Sequence, residues 1–267
     1  MAKLDSNIPS IARVYDYVLG GKDNFAVDRE LANRLIALVP LIPEVAKENR
    51  QFLARAVTWA ANQGIRQFAD LGSGLPTAPN THESARAAAP DARVAYVDND
   101  PVVVIHLNAL LANGNPGVSV VNADVRDVAA TLDGMRASLD LSAPVCLVVG
   151  YLLHFFTAGA AADLMARYTA ALPSGSCLVL SVLHATGEAA DEGLSTYSSE
   201  AVPVYSHSLP EIASFFGPLE LVPPGLVDAR LWHPAGPLTG LSPRECHVIA
   251  GVARKGRLKD RRRLLRA

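Results

Sequence analysis

From about residue 65 onward, short β-branched apolar runs alternate with Ala-rich segments whose apolar positions recur at helical spacing. The runs IRQFADL (65–71), ARVAYVD (92–98), VSVVNAD (118–124), VCLVVGYLL (145–153), SCLVLSVL (176–183), LELVPPG (219–225) and HVIAGVAR (247–254) predict strands. The near-continuous apolarity of Val145 to Leu153 suits a strand covered on both faces. Helix starts lie between the strands. Asn80 with Glu83 forms a capping box, and Asp100-Pro101 pairs an N-cap with a first-turn proline. The resulting βαβαβ order predicts an α/β fold built on a mostly parallel sheet. Ahead of it, EVAKENRQFLARAVTWAANQ (44–63) sets Val45, Phe52, Leu53, Val57 and Ala60 on one helical face, so residues 28–62 are expected to form two helices covering the sheet. His184 to Ser208 is polar and interrupted by Gly187, Gly193 and Pro203, and reads as a long functional loop.

The 267 residues show no internal repeat and no Gly/Ser linker, and half are apolar, which predicts one domain over residues 1–254, with an N-terminal helical cap over about 1–62. The longest apolar stretch, 145–156, is too short to span a bilayer, and the first residues lack signal-peptide order. A cytoplasmic protein without membrane partners is expected. Cys146, Cys177 and Cys246 lack the spacing of a zinc site or a disulfide framework and read as buried reduced thiols, with no metal site. The net charge of −2 hides an asymmetry: Arg254 to Ala267 carries eight Lys/Arg against Asp260, leaving −9 on the preceding body. A basic tail, 255–267, is expected to fray, and the acidic body argues against a nucleic-acid groove.

In an open parallel sheet ligands bind beyond the carboxyl ends of the strands. Three acids lie there: Asp70 before Gly72 and Gly74, Asp98 after the second strand, and Asp124 after the third. Each alone suits a turn or a helix cap; together, at successive strand ends, they point to a nucleotide-like ligand. A dinucleotide fingerprint needs a third glycine where Thr77 stands, and Asp70 would repel a pyrophosphate. A cationic aminoacyl-sulfonium ligand tolerates that acid.

IPSIARVYDYVLGGKDNFAVDRE, NRQFLARAV, GIRQFADLGSGLPT, ARVAYVDNDPVV, NADVRD, LLHF, ALPSGSCLVLS and LELVPPGLV, spread over about residues 8–254, resemble the actinobacterial S-adenosyl methyltransferase family, within the class I S-adenosylmethionine-dependent methyltransferases. The resemblance implies a Rossmann-like, seven-stranded sheet with the last strand antiparallel beside the fifth, and S-adenosyl-L-methionine as cofactor. It further implies that Asp70 and Gly72-Ser73-Gly74 border the methionine moiety. Asp98, with Asn99 beside it, would hold the ribose hydroxyls, while Asp124 and the Val125 amide read the adenine edge. Pro76 stands where the family pattern commonly has glycine. YDYVLGGKDNF (15–25) crowds Tyr15, Tyr17, Gly21 and Lys22 around a double glycine and is expected to fold over the cofactor. A small-molecule acceptor is expected, with His154 after the fourth strand as its base. His184 is a weaker candidate, and Tyr197, Tyr205 and His207 are in reach of the acceptor. A non-catalytic S-adenosylmethionine sensor and, less well supported, an NAD(P)-dependent oxidoreductase are the competing readings.

Overall fold

A computed structural model describes residues 7–234, 236 and 246–256. Its sheet comprises β1 (Gln67–Leu71), β2 (Arg93–Asp98), β3 (Val118–Asn122), β4 (Cys146–Gly150), β5 (Cys177–Ala185), β6 (Glu220–Leu221), β7 (Val227–Asp228) and β8 (Cys246–Arg254). The order is β3-β2-β1-β4-β5-β8-β6, with β7 pairing β8 off this path. β1 to β5 pair in parallel, whereas β8 runs antiparallel to β5 from Cys177 opposite Arg254 to Ala185 opposite Cys246. All seven expected strands are present. The eighth, β7, is two residues long and too short to leave a period in the sequence.

Strand order reverses between β1 and β4, which opens a crevice at their carboxyl ends. Both faces of the sheet are covered, as its apolar strands require. Alternate residues divide between two cores. Phe68, Val94, Tyr96, Cys146, Val148 and Val179 point toward one; Ala69, Ala95, Val97, Leu147, Val149 and Leu180 point toward the other.

The first core is packed by α3 (Ile42–Asn62) and α4 (Thr81–Arg86). Val45, Phe52, Leu53, Val57 and Ala60 of α3 are all buried, as their spacing predicts, and Phe52 meets Trp232 edge-on at 5.5 Å. α5 (Pro101–His106) follows β2 and continues into a π-helical turn, Leu107–Ala112. α6 (Val128–Arg136), α7 (Ala158–Ala171) and α9 (Leu209–Ser214) cover the opposite face through Leu132, Met135, Leu164, Met165, Tyr168 and Ile212. A third, smaller core joins α1 (Ile11–Val18) and α2 (Ala26–Leu38) to α3 through Val14, Val18, Leu31, Leu35 and Ala46.

The segment expected to be a loop at 184–208 is mostly regular. β5 continues to Ala185, and Glu188–Glu200 forms α8, which packs on α2. Gly187, at φ 94°, sets the break before the helix. Ala190, Leu194 and Tyr197 then fall on one face by helical spacing, Ala190 buried and the other two partly buried against the cores, outweighing the weak helix propensity of the intervening Gly, Ser and Thr.

Cys146 and Cys177 are buried free thiols on neighbouring strands. The side chain of Cys246 and residues 257–267 of the basic tail lie outside the described residues. Among the described residues no helix is long and apolar enough to cross a membrane, and no cluster has metal-ligating composition.

Candidate active site

The carboxyl ends of β1, β2 and β4 open into a cavity of about 340 Å³, roofed by α1, α2 and α8. Its floor is the turn after β1. Gly72 (φ 62°) and Gly74 (φ 66°) adopt the left-handed backbone that side chains resist. The Gly72 N–H donates to the Val97 carbonyl at 2.8 Å, binding the turn to β2. A Cβ on Gly72 would stand 2.8 Å from Leu152 Cδ1, so the turn also depends on the absence of a side chain there.

Asp98 ends β2 and clamps this turn. Its Oδ2 accepts the Gly74 N–H at 2.9 Å and its Oδ1 the Asp100 N–H at 3.0 Å. Burial raises its pKa above the ordinary carboxylate value, against the lowering effect of the Asp100, Gly74 and Asn99 N–H groups. Asp100 caps α5 by accepting the Val102 N–H at 2.8 Å, and its Oδ2 accepts the Ser10 hydroxyl at 2.9 Å. The first residues of the N-terminal cap are thereby tied to the rim of the cavity.

Asp70 is buried where β1 ends. Thr81 donates to its Oδ2 at 2.5 Å, and desolvation, only partly offset by Thr81 and by nearby Arg50, pushes its pKa up to about 6. Arg50 reaches in from α3, donating through Nη2 to the carbonyls of Thr77 (2.5 Å) and Pro79 (2.9 Å). An annexe of about 30 Å³ between Tyr15, Arg50, Ser73 and Thr77 adjoins the main cavity.

Four buried polar side-chain atoms among the described residues have no hydrogen-bond partner: Arg50 Nε, Ser73 Oγ, His154 Nδ1 and Trp232 Nε1. Buried polar groups are normally satisfied. Arg50, Ser73 and His154 are among the residues that line the cavity, although these three atoms themselves lie beneath its surface.

His154 follows β4 in a single 3₁₀ turn, Leu153–Phe155. Burial, and secondarily the proximity of His207, push its pKa down to about 3, so its imidazole is neutral at physiological pH. Tyr151, just after Gly150, holds φ 56°, rare for a bulky residue, while its N–H donates to the Ser181 carbonyl at 2.9 Å. Ser181 Oγ donates to Asn49 Oδ1 (2.6 Å), Asn49 Nδ2 to the Tyr15 hydroxyl (3.0 Å), and that hydroxyl to the Ala46 carbonyl (3.2 Å). A buried chain of hydrogen bonds thus runs from β5 through α3 to α1.

Of the residues singled out in the sequence, Tyr15, Asp70, Gly72, Ser73, Gly74, Asp98, Asn99, Val125 and His154 line the cavity together. The structure turns others elsewhere. Asp124 accepts Arg126 Nε at 2.9 Å and also pairs with its Nη2, and this guanidinium lowers its pKa; its neighbours Ala123 and Val125 meet the cavity instead. Tyr17 donates its hydroxyl to Asn33 at 3.1 Å on the outer side of the cap. Gly21 packs against Asp16, whose carboxylate gathers Asp23 N and Asn24 Nδ2 at 2.9 Å each, and Lys22 is exposed; neither borders the cavity. His184 Nδ1 contacts the His207 carbonyl (2.7 Å), and His207 Nε2 the Leu153 carbonyl (3.2 Å), both outside the lining, as is exposed Tyr205; Tyr197 does line it. Asn49, Arg50, Tyr151 and Ser181 were not singled out. Asn49 carried a signal, since a polar residue on the buried stripe of α3 between Val45 and Phe52 needs a specific partner.

A glycine turn after β1, an acid ending β2 at the crevice, and a sheet with β8 antiparallel beside β5 define an S-adenosylmethionine-dependent methyltransferase of the Rossmann-like type. Residues 1–256 match the family model described as S-adenosyl methyltransferase. The chain belongs to that family, and S-adenosyl-L-methionine is its cofactor. A solved structure of a candidate methyltransferase from Thermobifida fusca YX is 42% identical, covers 94% of this chain and 97% of its own, and superposes with a TM-score of 0.89. A DUF574 family protein from Streptomyces avermitilis MA-4680 is 37% identical over 95% of this chain and 100% of its own, with a TM-score of 0.88. Magnesium protoporphyrin IX methyltransferase from Synechocystis PCC 6803, solved with bound S-adenosylmethionine, shares the fold at 12% identity and a TM-score of 0.51, covering 96% of this chain and 100% of its own. No individually curated protein matches the chain.

Proposed function

We propose that the chain, acting as one unit over residues 1–254 in the cytoplasm of an actinobacterium, transfers the methyl group of S-adenosylmethionine to a small-molecule acceptor in the cavity over β1, β2 and β4. What carries the reading is one cavity at the carboxyl ends of β1, β2 and β4 that gathers the glycine turn with Arg50, Asp70, Asp98 and His154. The Arg50 guanidinium and Ser73, at the annexe, suit the donor's α-carboxylate; Asp70, close by, suits its ammonium; the Asp98 carboxylate suits the ribose hydroxyls, with Asn99 beside it. Ala123 and Val125 border the expected adenine end, and the Asp124 carboxylate, held by Arg126, leaves adenine recognition to backbone. The bound cofactor supplies an electrophilic methyl group on a sulfonium. The chain's own task is alignment and exclusion of water, which α1, α2 and α8 accomplish by covering the site. Neutral His154, in the cavity lining, offers an imidazole lone pair to the acceptor's proton.

Calorimetric titration tests the donor half. Arg50→Gln is expected to weaken S-adenosylmethionine binding about tenfold, the scale of one charge-assisted hydrogen bond, while leaving affinity for decarboxylated S-adenosylmethionine unchanged. Equal losses for both ligands would remove the carboxylate assignment.

The Asp70 assignment predicts a pH dependence. With its pKa raised to about 6 in the free protein, Asp70 is mostly protonated at lower pH. A cationic ligand favours the ionised form and lowers that pKa, so binding releases a proton. Affinity should rise as pH increases through about 6 and level off above it; at pH 5 it should be roughly tenfold below the plateau by linkage. Asp70→Asn should flatten the profile, and a flat profile in the unmutated protein would place the ammonium elsewhere.

A further inference from the structure

Five rings lining the cavity form one row, Tyr15, Tyr151, His154, Phe155 and Tyr197, with successive centroids 5.6, 4.5, 4.2 and 6.2 Å apart. The row runs from the annexe beside Arg50, where Tyr15 stands, to α8, which carries Tyr197. The formal charges in the lining are Arg50, Asp70, Asp98 and Asp100, all at the donor end, and Arg50 is engaged by the Thr77 and Pro79 carbonyls. Leu35, Val39, Leu194 and Val204 add aliphatic surface to the same lining.

We infer that the methyl acceptor is an uncharged aromatic molecule bearing a hydroxyl, of the phenol or naphthol class, whose ring lies against this row and whose O–H donates to the His154 imidazole. The inference rests on the donor placement proposed above. An anionic acceptor would lose its hydration in this wall and meet no free cation there; an ammonium would meet no carboxylate and would face the sulfonium's like charge. Ring faces stack on rings in offset or edge-on geometry, a preference an aliphatic chain cannot use. His154 is the member of the row with ring nitrogens, and a neutral imidazole accepts one hydrogen bond, which a hydroxyl provides.

Transfer breaks the bond between sulfur and the methyl carbon, the pair staying on sulfur to give a neutral thioether. A lone pair of the hydroxyl oxygen forms the new C–O bond, and the O–H proton passes to the His154 imidazole and then to water. Positive charge moves from the sulfonium to the imidazole, with no net change in the site. Because an alkylated phenol oxygen is a far stronger acid than imidazolium, the transfer is downhill once C–O bonding is advanced, even to a weakly basic histidine.

The test uses the full chain and 2-naphthol as probe. S-adenosylhomocysteine binding is measured first by calorimetry, and its failure would overturn the donor reading itself. On the S-adenosylhomocysteine-saturated protein, 2-naphthol should bind at least tenfold more tightly than 2-naphthoate, naphthalene or 1-decanol. Tyr197→Leu and Phe155→Leu, which keep apolar bulk, should weaken 2-naphthol at least fivefold and shift S-adenosylhomocysteine affinity by less than twofold, while Tyr197→Phe should retain binding. Intact S-adenosylhomocysteine binding with 2-naphthoate or 1-decanol equal to 2-naphthol, or with 2-naphthol unaffected by loss of both rings, would overturn the acceptor class alone.

Discussion

Replacing Asp98 with alanine is expected to weaken S-adenosylmethionine binding about a hundredfold. The carboxylate accepts the N–H groups of Gly74 and Asp100, one on each oxygen, and lines the cavity, where the proposed placement has it accept both ribose hydroxyls. Hydrogen bonds to a charged acceptor contribute roughly 1.5–3 kcal/mol each, so losing two, less what water restores, amounts to about 3 kcal/mol. Asp98→Asn keeps one acceptor oxygen and should lose about tenfold on the same scale. The substitution also releases the Gly74 turn, and a disturbed turn alone would weaken any ligand resting on it. Pairing the variant with 2′-deoxy-S-adenosylhomocysteine separates the effects. If Asp98 acts through the ribose, the unmutated protein should discriminate against the deoxy ligand and the variant should not. Discrimination that survives the substitution would move the ribose off this residue.

Much of the fold could be read along the chain because both periods are strongly written. Alternating strand residues part into two cores as their spacing requires, and the α3 stripe buries the face its pattern predicts. The exceptions have physical causes. β7 is too short to show a period, and α8 carries Gly, Ser and Thr whose propensities oppose a helix that packing onto α2 imposes. The site was legible where backbone dictates it: glycines in the left-handed region and acids ending strands can be inferred from order alone. Side-chain direction cannot. Asp124 stands at the expected strand end, but Arg126, two residues later, draws its carboxylate aside. Tyr15 and Tyr17 differ by two positions on α1, which sends one into the cavity and the other to Asn33. Arg50 was missed because an arginine on a helix beside a buried stripe reads as solvated, whereas here carbonyls of the loop before α4 draw its head inward.

The largest loss of stability is expected from Asp28→Ala, in the cap that roofs the site. Asp28 is fully buried, and Arg13 is nearly so. Asp28 accepts Arg13 Nε at 2.7 Å, the Phe25 N–H at 2.8 Å and the Ser10 N–H at 2.9 Å, while Arg13 also lies over the Phe25 ring, 4.8 Å from its centroid. Removing the acid strands a buried guanidinium and two amides, a change that costs about 3–5 kcal/mol in buried pairs, whereas replacing both partners by apolar groups costs little. Urea unfolding should therefore show a marked fall in midpoint for Asp28→Ala and recovery of most of it in Arg13→Met/Asp28→Leu. Whether the loss is global or confined to the cap follows from how the cap is attached. The core of α1 and α2 is separate from the two sheet cores, and its links to the body include the Ser10–Asp100 hydrogen bond, the Tyr15–Asn49–Ser181 chain and the Arg34–Glu200 ion pair. A cap with its own small core can open before the sheet does. Amide exchange in Asp28→Ala should then accelerate over residues 10–38 while β1, β4 and β5 keep their protection. S-adenosylmethionine affinity should fall with it, because the Tyr15 wall and the Ser10 tie to Asp100 leave together. Uniform acceleration across the sheet would instead make cap and body one cooperative unit.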